Sequence, residues 1–199
     1  HAGTSKVTSP SPCTATNPCL NDPFPTLSFT AGTDAGTAVR QLVQISLGTD
    51  VSFASPLFSL TRSDGSGFDV PIQLGDGAYR WRVQAVDAAG NKTGSAVATF
   101  VIDCTPPSPP TIVPPRDPIS QTLAATIPLN WSSETGAVNY RFELATATDG
   151  FGAPLFAGTQ ATTSKDVKGL LEDGASVRHL FRVASIDAVG NQSAFTPAT

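Results

Sequence analysis

The sequence predicts an all-β protein made of two tandem copies of one β-sandwich domain. Three observations carry this. Residues 81–91 (WRVQAVDAAGN) and 181–191 (FRVASIDAVGN) read almost alike at a separation of 100 residues, and self-similarity at a fixed period marks repeated structural units. The composition favours Thr, Ser, Val, Gly and Pro over Glu and Lys, which suits strands and turns rather than helices. Within the motif, Tyr79, Trp81, Val83 and Ala85 share one parity and Arg80, Arg82 and Gln84 the other. Side chains alternate faces along a strand, so the first set points inward and the second toward water.

The repeat extends outward from this anchor. Leu27, Ser28 and Phe29 correspond to Leu129, Asn130 and Trp131. Val43, Gln44 and Ile45 correspond to Phe142, Glu143 and Leu144. FASPLF at 53–58 matches FGAPLF at 151–156, and LGDG at 74–77 matches LEDG at 171–174. Order is kept and the offset drifts by a few residues, as duplicated domains with unequal loops require.

A chain of 199 residues fits two domains of about 90–100 residues, each able to bury a modest core. Charged residues make up 14% and hydrophobic ones 40%, which excludes a disordered chain. No apolar run reaches the roughly 18 residues of a spanning helix, so membrane insertion is not expected. A net charge of −4 argues against nucleic acid, which selects basic faces. Met is absent and no signal peptide is visible, so a processed product or an excised piece of a longer chain is expected.

Strands are expected near 26–31, 39–47, 56–61, 68–74, 79–87 and 94–102 in the first copy. The second should have them near 109–113, 124–132, 138–146, 153–159, 162–170 and 178–187, with a last one near 192–197. Short strands separated by turn signals indicate a sandwich. Each motif ends in Asp-x-x-Gly-Asn, where Gly90 and Gly190 accept positive φ and the Asp and Asn side chains bond nearby backbone. Pro-rich residues 104–110 read as a semi-rigid linker. The organisation is thus an N-terminal Pro-rich segment 1–19, a first domain 20–103, the linker 104–110 and a second domain 111–199. Only eight residues follow Asn191, so the final strand should be short, either cut off or completed by a neighbour.

These residues resemble the fibronectin type III family of immunoglobulin-like sandwiches. Such domains place an aromatic on the second strand, as Phe29 and Trp131 do. A Tyr-x-hydrophobic pattern follows on the third, as at Tyr140 and Phe142. A Leu precedes a Tyr-x-Val-x-Val-x-Ala strand, matched by Leu74 and YRWRVQA at 79–85. The VDAAGN ending is similar to a variant common in bacterial secreted and cell-surface proteins. The resemblance implies a structural core of Phe29, Tyr79, Trp81, Trp131, Tyr140 and Phe181, with Tyr79 as a corner tyrosine bonding back to the backbone. His179 stands where the second copy would carry that tyrosine, and no Arg-Gly-Asp tripeptide occurs.

Three cysteines occur. Cys13 and Cys19 are spaced to close a small loop, and their pairing is the first choice in an oxidising, extracellular setting. A bridge from Cys104 to either needs the N-terminal segment to run back along the domain. No bridge at all is the third possibility. Cysteine spacing without nearby His does not suit zinc.

Chemistry is sparse. His1 is terminal, and His179 sits on inward strand parity, a poor position for a catalytic triad. Glu134, Glu143, Glu172 and Asp173 are scattered over turns and an outward strand position and read as solvated acids rather than a paired-carboxylate site. Asp87 and Asp187 are weak calcium candidates, joined by Asp34, Asp50 and Asp149 only if loops converge; turn closure is the simpler role. Trp81 and Trp131 lie on inward parity and read as core rather than sugar platforms. Phe53 and Phe151 read as plugs. No catalytic residue, cofactor or firm metal site is expected. The expected function is a non-catalytic extracellular tandem module. It would serve as a spacer or an adhesion or protein-interaction unit of a larger surface or secreted protein, with flanking domains and an unidentified protein or glycan ligand. The alternative is an accessory, carbohydrate-binding module of a polysaccharide-degrading enzyme.

Overall fold

The structure, a computed structural model, describes residues 6–8, 19–33, 39–63, 65–94, 97–113, 126–168, 170 and 178–198. It divides between Thr105 and Pro106 into two compact units, each an all-β sandwich.

In unit 1, strands β1 (Lys6–Thr8), β3 (Thr26–Thr30) and β6 (Gly67–Asp69) form one sheet in the order β1-β3-β6. The other sheet contains β2 (Cys19–Leu20), β4 (Arg40–Leu47), β5 (Phe58–Arg62), β7 (Gly77–Val86) and β8 (Val97–Ile102), in the order β2-β8-β7-β4-β5. All pairs are antiparallel except β2 with β8, which is parallel and sets Cys19 opposite Val101. The alternation read from the sequence holds on β7: Tyr79, Trp81, Val83 and Ala85 are buried while Arg80, Arg82 and Gln84 are half-buried. Those inward residues pack with Leu27, Phe29, Val43 and Ile45 into one core.

In unit 2, β9 (Ile112–Val113), β10 (Thr126–Trp131) and β13 (Ser164–Lys168) form a sheet in the order β13-β10-β9. Strands β11 (Asn139–Thr146), β12 (Phe156–Gln160) and β14 (His179–Ile186) form its partner, in the order β12-β11-β14. A 3₁₀ turn occupies Gly150–Gly152. Leu129, Trp131, Tyr140, Phe142, Phe181 and Val183 fill the core.

Three strand expectations change. Residues 68–74 do not form one strand, because the ladder stops after Asp69. Beyond it, Val70 and Leu74 donate to the carbonyls of Pro25 and Pro23. Pro23, Pro25 and Pro71 have no N–H, so a regular ladder cannot form there. The segment before residue 20 supplies β1 and β2, which periodicity did not show. Finally, residues 192–197 form no strand. Gln192 makes a single bridge to Ile186, and side-chain hydroxyls then take over the pairing. The N–H of Val183 donates to Thr196 Oγ1 at 3.1 Å and that of Ser185 to Ser193 Oγ at 3.0 Å. In return, Ser193 and Thr196 donate their own N–H groups to the carbonyls of Ser185 and Val183. Both hydroxyl residues are buried; in unit 1 the ladder between β7 and β8 covers Gly77–Arg82 and ends before the equivalent Val83 and Ala85.

The cores differ by an exchange. The second-strand aromatic is Phe29 in unit 1 and Trp131 in unit 2. On the strand across the sandwich the order reverses, with Trp81 in unit 1 and Phe181 in unit 2. Both indoles are buried, at 0% and 3% exposure, and Trp131 meets Phe181 at 5.8 Å between ring centroids. Each sandwich therefore holds one indole and one phenyl at these two sites. Neither indole N–H has a hydrogen-bond partner, and a buried orphan donor costs about 1–3 kcal/mol.

Two predictions follow from this packing. Exchanging the pair, Phe29→Trp with Trp81→Phe or Trp131→Phe with Phe181→Trp, should cost no more than about 1.5 kcal/mol, since it conserves volume and gives one unit the arrangement of the other. Trp→Ala at either site should cost about 3–5 kcal/mol. Urea unfolding checks both; an exchange as costly as Trp→Ala would refute the argument. For the hydroxyl pairing, Ser193→Ala with Thr196→Val should destabilise unit 2 by about 2–4 kcal/mol, because two buried N–H groups lose their acceptors. Amide exchange should quicken at Val183 and Ser185 in that variant and stay slow at Val83 in unit 1.

Candidate functional site

Two surface features recur in both units. One is the turn that ends β7 and β14; the other is the outer face of the sheet that contains them.

In the first turn, Asp87 Oδ1 accepts the N–H groups of Ala89 and Asn91 at 2.9 and 2.8 Å, and Oδ2 accepts Asn91 Nδ2–H at 2.8 Å. Asp187 repeats this with Val189 and Asn191 at 2.9, 2.8 and 2.9 Å. Gly90 and Gly190 have φ of 87° and 94°, which a side chain would resist. The Asn91 amide, with backbone donors behind it, holds the Asp87 carboxyl below its ordinary range. Both carboxylates are thus committed to closing their own turns. Among the described residues, no three His, Cys, Asp or Glu side chains converge as a metal cage. Asp34 lies outside the described residues. Asp50 and Asp149 also serve their own loops: Asp149 accepts the Thr146 hydroxyl at 2.7 Å. Asp50 accepts the N–H of Ala54 and Ser55 and the hydroxyls of Ser46 and Ser52.

The outer face corrects the sequence reading. Glu143 is not solvated: it is 4% exposed. Arg182 donates to its Oε2 from Nε and Nη2 at 2.9 and 2.6 Å, and Arg141 to its Oε1 at 3.3 and 3.0 Å. The Arg182 guanidinium in turn lies between two rings, 3.9 Å from the Phe151 centroid and 4.2 Å from that of Phe195. Burial pushes the Glu143 carboxyl up, but the hydrogen bonds and charge of Arg182 and Arg141 outweigh it and the net shift is downward. Nor does Arg82 simply solvate. It stacks over Phe53 at 4.3 Å and donates twice to Gln44 Oε1, at 2.9 and 2.8 Å. Phe53 reaches this position with a φ of 57°, strain of roughly 1–2 kcal/mol for a non-glycine residue. A desolvated cation–π contact of up to about 2 kcal/mol is of the size needed to offset it.

The remaining sequence candidates fall in the scaffold. Tyr79 donates its hydroxyl to the Gly75 carbonyl at 2.8 Å, four residues upstream, and burial raises its pKa. Tyr140 accepts the Glu134 N–H at 2.9 Å. His179 is half-buried at the start of β14; residues 171–177, which its corner bond would need, lie outside the described residues, as do Glu172 and Asp173. Asp76, which the sequence did not single out, pins the end of unit 1. It accepts the Cys104 N–H at 2.7 Å and the Thr105 hydroxyl.

The Cys13–Cys19 pairing falls on Cys13, outside the described residues, and on a Cys19 whose side chain is not described. Cys104 carries a free, half-buried thiol, whose pKa is raised by burial and by Asp76, Asp103 and Asp22. The N-terminal segment does run back along the domain, the course a Cys104 bridge would need: β2 lies beside β8.

This arrangement can bind and brace. Glu143 is held ionised between two guanidinium groups, and no described nucleophile or second acid stands beside it. Acid should weaken the protein. The Asp50 carboxyl sits at about 2 against an ordinary 3.8, and Asp76, Asp87 and Glu143 are also depressed. Groups with depressed folded-state pKa stabilise above their unfolded values, and that stabilisation is lost as pH falls through the folded ones. Tm should therefore hold above pH 5 and fall from about pH 4 toward pH 2, and Asp50→Asn should flatten that fall. Glu143→Gln should cost unit 2 about 1–3 kcal/mol at pH 7, since it leaves two guanidinium groups short of a charged partner. Asp187→Ala should lower Tm by a few degrees, with or without calcium. A Tm that rises with calcium in the wild type alone would overturn the turn-closing role.

Comparison with known proteins bears on the fold. The chain is similar to the FN1–FN3 domains of chicken CNTN1, with 12% identity and a TM-score of 0.57 over 91% of this chain and 60% of that one. It is similar to domains A168–A170 of titin, with 15% identity and a TM-score of 0.52 over 100% of this chain and 66% of that one. The chain thus spans under two thirds of either structure, and at these identities the likeness is one of fold. No curated protein matches the chain. Residues 4–104, which include all of β1 to β8, match the family described as a bacterial Ig-like domain. The parallel β2–β8 edge, the two-sheet core and this match agree, and the chain belongs to the bacterial Ig-like domain family as a tandem of fibronectin type III-like sandwiches.

Proposed function

We propose that the chain is a non-catalytic tandem module of a larger secreted or surface protein, acting as a spacer or as an adhesion or protein-interaction unit. The observation that carries this reading is the pairing of β2 with β8 in unit 1. After β1 has joined the other sheet, the chain comes to lie, as β2, beside the strand by which it leaves, and the two run parallel. Tension applied to the two ends of the unit loads those hydrogen bonds in shear, so they resist together rather than one by one. The anchor of Asp76 on Cys104 and Thr105 reinforces the exit. Carbohydrate recognition by ring stacking has less support, because both Trp side chains are buried. No helix among the described residues is long and apolar enough to cross a membrane.

Stretching single molecules of the full chain tests the spacer role. Two unfolding events are expected, each releasing about 30 nm, from roughly 90 residues at about 3.4 Å each. Asp76→Ala should lower the force of one of them. A single event, or forces unchanged by Asp76→Ala, would count against the load-bearing role. Turnover of any polysaccharide or protein substrate by the purified chain would overturn the non-catalytic reading.

A further inference from the structure

We propose that the outer face of β4, β7 and β8 in unit 1 is a docking surface for an acidic polysaccharide. The two units differ on this face in a chemically directed way. In unit 2 the arginine of the motif, Arg182, meets a carboxylate, Glu143. In unit 1 the equivalent Arg82 meets a neutral amide, Gln44. Arg80 of unit 1 stands where unit 2 has Leu180. The same scaffold is therefore neutralised in one copy and left cationic in the other.

The face is acid-free along its strands. Register and parity place Arg40, Leu42, Gln44 and Ser46 of β4 on it, with Arg80, Arg82, Gln84 and Val86 of β7 and Val97, Thr99 and Val101 of β8. No Asp or Glu occurs among them. Asp50, which reaches Ser46 at one end, is saturated by its own loop. Asp87 at the other end is spent on its turn. Arg80 Nε is buried without a hydrogen-bond partner. Arg82 uses Nε and Nη2 on Gln44. Arg80 and Arg40, which lies opposite Val86, mark a stripe about 20 Å long at the strand rise of 3.3–3.4 Å per residue.

The ligand class follows from what lines the stripe. Guanidinium groups pair with anionic oxygens such as those of carboxylates and sulfates. The Gln44 amide nitrogen and the Thr99 hydroxyl supply neutral hydrogen bonds of the kind sugar hydroxyls make. A nucleic acid fits less well. Its bases would need exposed rings, and Phe53 is covered by Arg82. Its charge density also meets a chain of net charge −4. A polysaccharide with one anion per few sugars suffers less repulsion and matches spaced arginines. This inference concerns unit 1 alone and stands apart from the spacer reading.

The test uses the full chain in affinity electrophoresis, with polygalacturonate, dextran sulfate, neutral dextran or a single-stranded oligonucleotide in the gel. Retardation is expected with polygalacturonate or dextran sulfate, weakening steeply with added salt, and none with neutral dextran. Whichever acidic gel retards more identifies the anion. The double variant Gln44→Glu, Arg80→Leu gives unit 1 the pattern of unit 2, keeps the Arg82 contact and should leave Tm within a few degrees. It should weaken retardation at least tenfold in apparent affinity. Arg40→Ala, which breaks no described hydrogen bond, is the second variant and should weaken it several-fold. No retardation in either acidic gel, equal retardation of both variants and wild type, or stronger retardation by the oligonucleotide overturns the proposal.

Discussion

Each sandwich depends on a core that holds one buried indole and one buried phenyl, on strands of its two sheets. Stacked sheets sit about 10 Å apart, and in unit 2 the two rings meet across that gap with centroids 5.8 Å apart. The two units meet the requirement with opposite assignments, Phe29 with Trp81 and Trp131 with Phe181. The summed volume is the same, although the shape is turned around. This constraint fixes which parity of β7 and β14 must face inward, and so which residues face outward. Arg82 and Arg182 are outward because Trp81 and Phe181 are inward. The surface chemistry of both units is thus a by-product of where the core aromatic lies.

Given that fixed position, the outward arginine has few options. It needs hydrogen-bond acceptors, and its planar face can take a ring. Phe53 and Phe151, from the loop that follows β4 or β11, supply the ring in both copies. What differs is the acceptor. Glu143 adds a charge and draws in Arg141, while Phe195 covers the other side of Arg182. Gln44 keeps the geometry and gives up the neutralisation. A single Gln–Glu difference, supported by Arg80 against Leu180, separates a braced face from an open one.

The parts of this structure that were legible in the sequence are those set by local periodicity. The alternation at 79–85 gave the strand and its inward face. Asp87, Gly90 and Asn91 gave the turn, because a five-residue closure needs no distant partner. Burial of Glu143 was not legible. Its parity was read correctly as outward, but outward meant solvated only until Phe151 and Phe195, from a loop and the final segment, closed over its arginine. The edges were illegible for a related reason. Strands of two or three residues such as β1 and β2 carry too little pattern to see, and their partners lie about 20 and about 80 residues away. The Pro-rich composition of the first nineteen residues pointed away from strand, yet it is compatible with short edge strands, where a missing N–H costs least.

The final segment of unit 2 shows how far local composition can substitute for a ladder. A regular edge strand offers a carbonyl to every second N–H of its neighbour. Here Ser193 and Thr196 offer side-chain oxygens instead, and receive backbone bonds in return. A hydroxyl rotates to suit its donor, so the segment does not need strand dihedrals at every residue. That freedom lets Phe195, between them, turn out over Arg182 rather than into the core. A regular strand would fix alternating faces and tie the placing of residue 195 to its neighbours. The hydroxyl pairing therefore does two things: it satisfies β14, and it frees the ring that completes the arginine stack. At the equivalent position unit 1 carries Ser95, so its sequence supplies no ring there, and among the described residues Phe53 alone stacks on Arg82.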